Sequence, residues 1–251
     1  MKSCSGSNDW KRPFRTASFS PCIGSNQTEV VSSYQAEVNE VIYQYNISKP
    51  EAVTDETPIL ITLHGMGTDD HDLAGIVSES PAQFVQINIR GDLRFSSGYT
   101  YYLPDFSGQS EQEVITKVLR KIKDSLSDIY EKENLSAKQP VFFLGFSQGA
   151  ILSLSYSLFY PDCVTGAVIL SGRLPEFFKQ SDGVRAGKTS FFVAHGQYDP
   201  LFSIEIARDT RRYLKQHRFN LSYHEYPSAH GVIPQEVADI RTFLHRLNDR
   251  F

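Results

Sequence analysis

The sequence predicts an α/β fold built on a mostly parallel, doubly wound sheet with helices on both faces. Two observations carry that prediction: short apolar runs rich in Val, Ile and Phe recur along the chain, and helical patterns come between them. A length of 251 residues suits one globular domain with a sizeable core and leaves a second full domain cramped.

In chain order, residues 1–32 are Ser-rich, acid-poor and without an apolar run, which predicts a flexible solvated tail ahead of a domain over 33–251. The tail lacks the apolar core of a secretory signal; an organelle transit peptide is the minor alternative. "AEVNEVIYQYNI" alternates Val38, Val41, Tyr43 and Tyr45 as an edge or antiparallel strand does. "PILITLHG", "FVQINIR", "VFFLGF", "TGAVILSG" and "TSFFVAHG" read as strands buried on both faces. From Glu111 to Asn134, Val114, Val118, Ile122, Leu126 and Ile129 recur three or four apart, which predicts an amphipathic helix. "NLSYHEY" alternates as a last strand, ahead of a last helix. Connections are short except for Leu93 to Gln109.

Charge and cysteines narrow the function classes. A net charge of -4 supplies no basic field for nucleic acid or anionic membranes. No window approaches the length of a bilayer-spanning helix, so no stable membrane insertion is expected. Cys4, Cys22 and Cys163 are odd in number and far apart, which argues against a disulfide framework and for a reducing, cytoplasmic setting. No cysteine has a second one at zinc-ligand spacing, and no metal or organic cofactor is implied.

In sheets of this kind ligands bind beyond the carboxyl ends of the strands, so the residues after each apolar run carry the most information. Gly145-Phe146-Ser147-Gln148-Gly149 has the G-x-S-x-G pattern of a nucleophile elbow, placed between the strand "VFFL" and the helical "AILSLSYSLFY". A serine capping a helix after a buried strand fits the same five residues. Residues at other strand ends separate the two readings. His64-Gly65-Met66-Gly67 is a glycine-flanked turn whose backbone amides suit an oxyanion, and the amides of Met66 and Gln148 are the expected donors. Of seven histidines, His230 in "YPSAHGVIP" lies between the last strand and the last helix, where a base can lean over the sheet edge. Asp199 in "VAHGQYDPLF" follows the preceding strand, and the order Ser147, Asp199, His230 is the one expected of α/β hydrolases.

With these residues in place, the chain resembles the phospholipase/carboxylesterase family of α/β hydrolases, which includes acyl-protein thioesterases. The resemblance runs from about Pro58 to Leu247 and rests on "LHGMG", "GFSQGA", "LSGRLP", "AHGQYDP" and "SAHGV", in order and at family-like spacing. It implies an α/β-hydrolase fold with Ser147 as nucleophile, His230 as base, Asp199 as its orienter, and Met66 and Gln148 at the oxyanion hole. It also implies a small-molecule ester substrate and, since members often pair, a homodimer. The chain departs from the family in its tail and in "GYTYYLPDF", which stands where relatives often carry a tryptophan-containing loop.

"SGRLPEFFKQSDGVRAGK" is too short for a large lid domain. Leu174, Phe177 and Phe178, with Tyr99, Tyr101, Tyr102 and Phe106, are the candidates to line an acyl or aromatic pocket; packing the loop onto the sheet would use the same residues. The leading expectation is a serine carboxylesterase acting on small or medium acyl esters. Acyl-protein thioesterase and lysophospholipase activities share that site, and a non-catalytic ligand-binding hydrolase fold is the alternative of another class.

Overall fold

The structure is a computed structural model that describes residues 42–77, 84–180 and 187–249, all within one compact unit, Gln35–Phe251. The expected tail, and Val38 and Val41 of the first expected strand, lie outside the described residues. In chain order the elements are β1 (Gln44–Ser48), β2 (Ile59–Leu63), β3 (Val85–Arg90), the short strands β4 (Leu93–Phe95) and β5 (Gly98–Thr100), α1 (Glu111–Glu133), β6 (Val141–Phe146), α2 (Gln148–Phe159), β7 (Gly166–Leu170), α3 (Glu176–Lys179), β8 (Ser190–Gly196), α4 (Ile204–Gln216), β9 (Asn220–Tyr226) and α5 (Pro234–Asn248).

The main sheet runs β1-β3-β2-β6-β7-β8-β9. Only β1 is antiparallel to its neighbour; the other pairings are parallel. The near-continuous apolar runs predicted this burial: every residue of β2, β7 and β8 is buried. The alternating β1 and β9 lie at the two edges and are half-exposed. One expectation needed revision: the long connection after β3 contains a hairpin, with Leu93 opposite Thr100 and Phe95 opposite Gly98. Strands of three residues carry too little alternation to be read from sequence.

α1 starts at a reciprocal capping box between Ser110 and Glu113 and stops at Asn134, whose φ of 54° is left-handed. Its buried stripe includes Ile115, Leu119 and Tyr130 beside the expected Val118, Ile122, Leu126 and Ile129. Val114 sits at the stripe's margin. By contrast, α2 is buried on all sides from Gln148 to Leu158, because it is packed against β2, β6, β7 and α1. On the main core cluster, Leu60, Phe142, Leu144, Val168, Leu170 and Phe192 meet Ile240, Phe243, Leu244 and Leu247 of α5. Each such side chain contributes roughly 1.5–3 kcal/mol by leaving water.

The approach of α2 to β2 depends on the absence of a side chain. A Cβ on Gly149 would collide with the carbonyl of Leu63, and one on Gly145 with the carbonyl of Gly149. Gly149→Ala is therefore expected to destabilise the protein by about 3 kcal/mol or more, read as a lower urea midpoint with little change in slope.

Among the described residues no helix is long and apolar enough to cross a membrane. Cys163 follows α2, whereas Cys4 and Cys22 lie outside the described residues.

Candidate active site

Chain direction across the sheet reverses between β2 and β6: β3 lies on one side of that pair and β7, β8 and β9 on the other. A crevice opens at the carboxyl ends of such a pair, and the two glycine-rich turns of the sequence stand there. Ser147 follows β6 directly with φ 53° and ψ -112°, outside the comfortable regions for a side-chain-bearing residue. Such a conformation costs on the order of 1–3 kcal/mol and persists only where the surroundings impose it. Here they do. The Ser147 N–H donates to Leu170 O of β7 at 2.9 Å, and its carbonyl accepts the N–H of Ile151 at 3.1 Å in the first turn of α2.

The turn after β2 lies against this elbow. A Cβ built on Gly65 would be 3.6 Å from Ser147 Cβ, which places the two segments in close approach. Gly67 takes φ 88°, a left-handed conformation that glycine adopts without strain. Its N–H donates to Tyr99 O at 2.8 Å, while no acceptor for the Met66 N–H is present among the described residues. Gln148 is the first residue of α2, so its N–H has no acceptor within the helix. His64 stabilises the turn. Its Nε2 accepts the N–H of Gly91 at 2.9 Å, so Nδ1 carries the proton toward Gly65 O at 2.6 Å. Burial holds its pKa below the ordinary value and favours this neutral form.

From the far side of the crevice, His230 Nδ1 stands 2.7 Å from Asp199 Oδ2. Asp199 Oδ1 accepts the N–H groups of Leu201 at 2.8 Å and Phe202 at 2.9 Å. Burial acts to raise the Asp199 pKa, but the His230 hydrogen bond and the Phe202 and Leu201 amides outweigh it, leaving the carboxyl below its ordinary value. With Nδ1–H donated to Asp199, Nε2 keeps a free lone pair. The His230 ring packs 4.9 Å from the ring of Phe146, the residue before Ser147. Ser147 Oγ and His230 Nε2 do not share a hydrogen bond in this arrangement, as is common before substrate binds.

Two features of the neighbourhood were not read from the sequence. The Gln148 side chain clamps the long loop: its Oε1 accepts Thr100 Oγ1–H and Tyr101 N–H, and its Nε2 donates to Tyr102 O, at 2.8–2.9 Å. His195 reaches Asp199, with Nε2 3.3 Å from Oδ2. Its four-residue spacing from Asp199 was the available signal, but outside a helix that spacing says nothing about contact.

The seven aromatic and apolar pocket candidates fall into different surroundings. Tyr101 is buried, and its hydroxyl donates to Ile89 O at 2.7 Å and accepts the His64 N–H at 3.2 Å. Tyr102 is buried with its ring 6.2 Å from the half-buried Phe106. Tyr99 is half-buried, with the guanidinium groups of Arg90 and Arg94 over its ring at 4.3 and 4.4 Å. Leu174 is buried after β7. Phe177 and Phe178 pack against Phe159 of α2, at 6.3 and 5.3 Å. Residues 181–186 of the short segment after β7 lie outside the described residues; the remainder carries only α3.

Beyond the His230 loop, Glu236 is buried in the first turn of α5. Burial pushes its carboxyl up to about 7, with the Asp239 charge adding to the rise and an Ile233 hydrogen bond opposing it. The folded protein therefore holds this proton after the unfolded chain has lost it. Stability contributed by neutral Glu236 falls as pH rises from about 4.5 through about 7. Glu236→Gln should remove that slope and stabilise the protein by about 1–3 kcal/mol at pH 8, in denaturant titrations at several pH values.

The Phospholipase/Carboxylesterase family profile matches residues 46–248. Acyl-protein thioesterase 1 of Mycosarcoma maydis is 27% identical over 229 residues, covering 80% of this chain and 95% of that protein. MhqD of Bacillus subtilis (strain 168), described as a putative hydrolase, is 22% identical over 183 residues, covering 73% of this chain and 90% of its own. Among solved structures, the Bacillus cereus carboxylesterase superposes with a TM-score of 0.71 at 18% identity, covering 82% of this chain and 95% of that one. The Mesorhizobium loti carboxylesterase gives 0.68 at 19% identity, covering 83% and 97%. At these identities the solved structures speak to the fold.

Proposed function

The chain belongs to the phospholipase/carboxylesterase family of α/β hydrolases, which act on ester bonds, and from that premise we propose that it cleaves small or medium acyl esters through a Ser147-His230-Asp199 triad and an acyl-enzyme. The observation that carries this reading is the 2.7 Å contact from His230 Nδ1 to Asp199 Oδ2, made by two residues that follow different strands. It leaves Nε2 as the basic nitrogen on the same side as the strained serine turn.

In the first step Nε2 takes the Ser147 proton as Oγ bonds to the ester carbonyl carbon. The carbonyl oxygen becomes the oxyanion and receives the N–H groups of Met66 and Gln148. Collapse expels the alcohol, which takes the proton back from His230, and Ser147 is left acylated. Water then repeats the sequence: it gives a proton to Nε2, attacks the acyl carbon and releases the acid with Ser147 restored. Asp199 stays ionised throughout and holds the imidazole tautomer. Tyr99, Tyr101, Tyr102, Phe106, Leu174, Phe177 and Phe178 remain the proposed pocket residues.

Acyl-protein thioesterase activity is the second reading, favoured by the relative of that description aligned over 80% of this chain. One experiment tests both. Purified protein is assayed on p-nitrophenyl esters of increasing chain length, on lysophospholipid and on a long-chain acyl thioester, with Ser147→Ala as control. Preferential turnover of short p-nitrophenyl esters supports the first reading, and preference for the long thioester supports the second. No turnover, together with no fluorophosphonate labelling of Ser147, would mean a ligand-binding protein instead.

A further inference from the structure

Two imidazoles converge on one oxygen of Asp199, and the proposed mechanism uses only one of them. His195, on β8, is 1% exposed, and the Asp199 side chain has no exposure at all. His195 Nε2 lies 2.8 Å from Phe202 O, an atom that only accepts hydrogen bonds, so this nitrogen carries the proton. The same nitrogen lies 3.3 Å from Asp199 Oδ2, the oxygen that receives His230 at 2.7 Å, while its hydrogen bond goes to the Phe202 carbonyl.

Phe202 is thereby held on both sides of its Cα. Its N–H donates to Asp199 Oδ1 at 2.9 Å and its carbonyl accepts from His195 at 2.8 Å. The turn Asp199-Pro200-Leu201-Phe202 is closed on itself through His195, with Leu201 N–H adding a second bond to Oδ1 at 2.8 Å. The contact with Oδ2 at 3.3 Å is a proximity and not a hydrogen bond, so the grip of His195 is on the Phe202 carbonyl. The effect on the carboxylate is orientational. Oδ1 is fixed by two amides, and Oδ2 is left aimed between the two imidazoles.

We propose that His195 is a positioning residue for the reaction, which sets the orientation of Asp199 toward His230 by locking the 199–202 turn through the Phe202 carbonyl, with its ring edge beside Oδ2. This inference rests on the triad reading above. A buried carboxylate free to rotate would present Oδ2 to His230 only part of the time, and small misplacements of a catalytic array cost about 100-fold in rate.

The test compares His195→Gln with His195→Asn. Both place a neutral amide in the same buried position. The glutamine nitrogen reaches as far from Cβ as Nε2 and can still donate to Phe202 O, whereas the asparagine nitrogen reaches only as far as Nδ1. Activity on p-nitrophenyl butyrate is normalised to the enzyme fraction titrated at Ser147 by a fluorophosphonate, so misfolded protein does not count. His195→Asn should lose about 10- to 100-fold in kcat with KM changed by less than about twofold, and His195→Gln should remain at least about fivefold more active than His195→Asn. Equal kcat in the two variants, or a loss appearing only in KM, overturns the inference while leaving the triad intact. Absence of Ser147 labelling in the unsubstituted protein overturns the triad reading, and this inference with it.

Discussion

Ser147→Ala is expected to lower kcat on p-nitrophenyl esters by about 10⁴- to 10⁶-fold and to abolish fluorophosphonate labelling, with unfolding midpoints close to those of the unsubstituted protein. The size follows from the chemistry: without Oγ no acyl-enzyme forms, and the residual rate is that of water near an oxyanion site. The small structural change also follows from the structure. Ser147 Oγ caps no helix N–H, since α2 has no side-chain cap at that position. The bonds that hold the elbow come from its backbone N–H and carbonyl. Loss of the hydroxyl therefore separates the two readings of G-x-S-x-G: a capping serine would lose about 1 kcal/mol of stability and no chemistry. Retention of ester hydrolysis by Ser147→Ala would refute the proposed mechanism.

Asp199→Asn is expected to lower kcat by about 10⁴-fold while leaving KM nearly unchanged. The Asp199 carboxylate accepts from His230 Nδ1 and so fixes the proton there. Leu201 and Phe202 N–H groups already claim Oδ1, so an asparagine would keep its carbonyl oxygen on that side and turn its NH₂ toward His230. That arrangement requires Nδ1 to accept, moves the imidazole proton to Nε2 and leaves no base facing Ser147. The substitution also changes the acid limb of stability. Because the Asp199 pKa in the folded state is below 3.8, the carboxylate's contribution is present above that pH and is lost as pH falls through the folded value. The Asn variant should lack that part of the acid dependence in urea titrations between pH 2 and 5.

What the sequence revealed of this site was the part encoded by local rules. An apolar run, a glycine, a serine and a second apolar run specify strand, turn and helix, and Gly145 and Gly149 mark where backbone must meet backbone. Parallel strands also announce themselves, since both faces must be apolar. Contacts made across the fold were not readable in that way. His64 accepts from Gly91 and so anchors the turn after β2, the proposed oxyanion turn, to the end of β3, a pairing set by sheet order. His195 meets Asp199 because a tight turn brings the chain back on itself. Tyr101 was legible only as one of three candidate pocket tyrosines, and the bridge its hydroxyl makes between β3 and the turn after β2 was not. Side chains of one chemical type can line a cleft or clamp a loop, and only the positions of distant partners decide between them.

The clamp made by Gln148 has a consequence for how this enzyme could change. The residue whose amide is proposed to meet the oxyanion also grips Thr100, Tyr101 and Tyr102 through its side chain. The root of the long loop is tied to the chemical centre, whereas Leu103 beyond it is exposed. Substitutions at the loop's root therefore act on the elbow through Gln148, and those at its exposed outer portion act on it less directly. A library meant to probe the proposed pocket belongs beyond Tyr102, where the Gln148 side chain makes no hydrogen bond among the described residues.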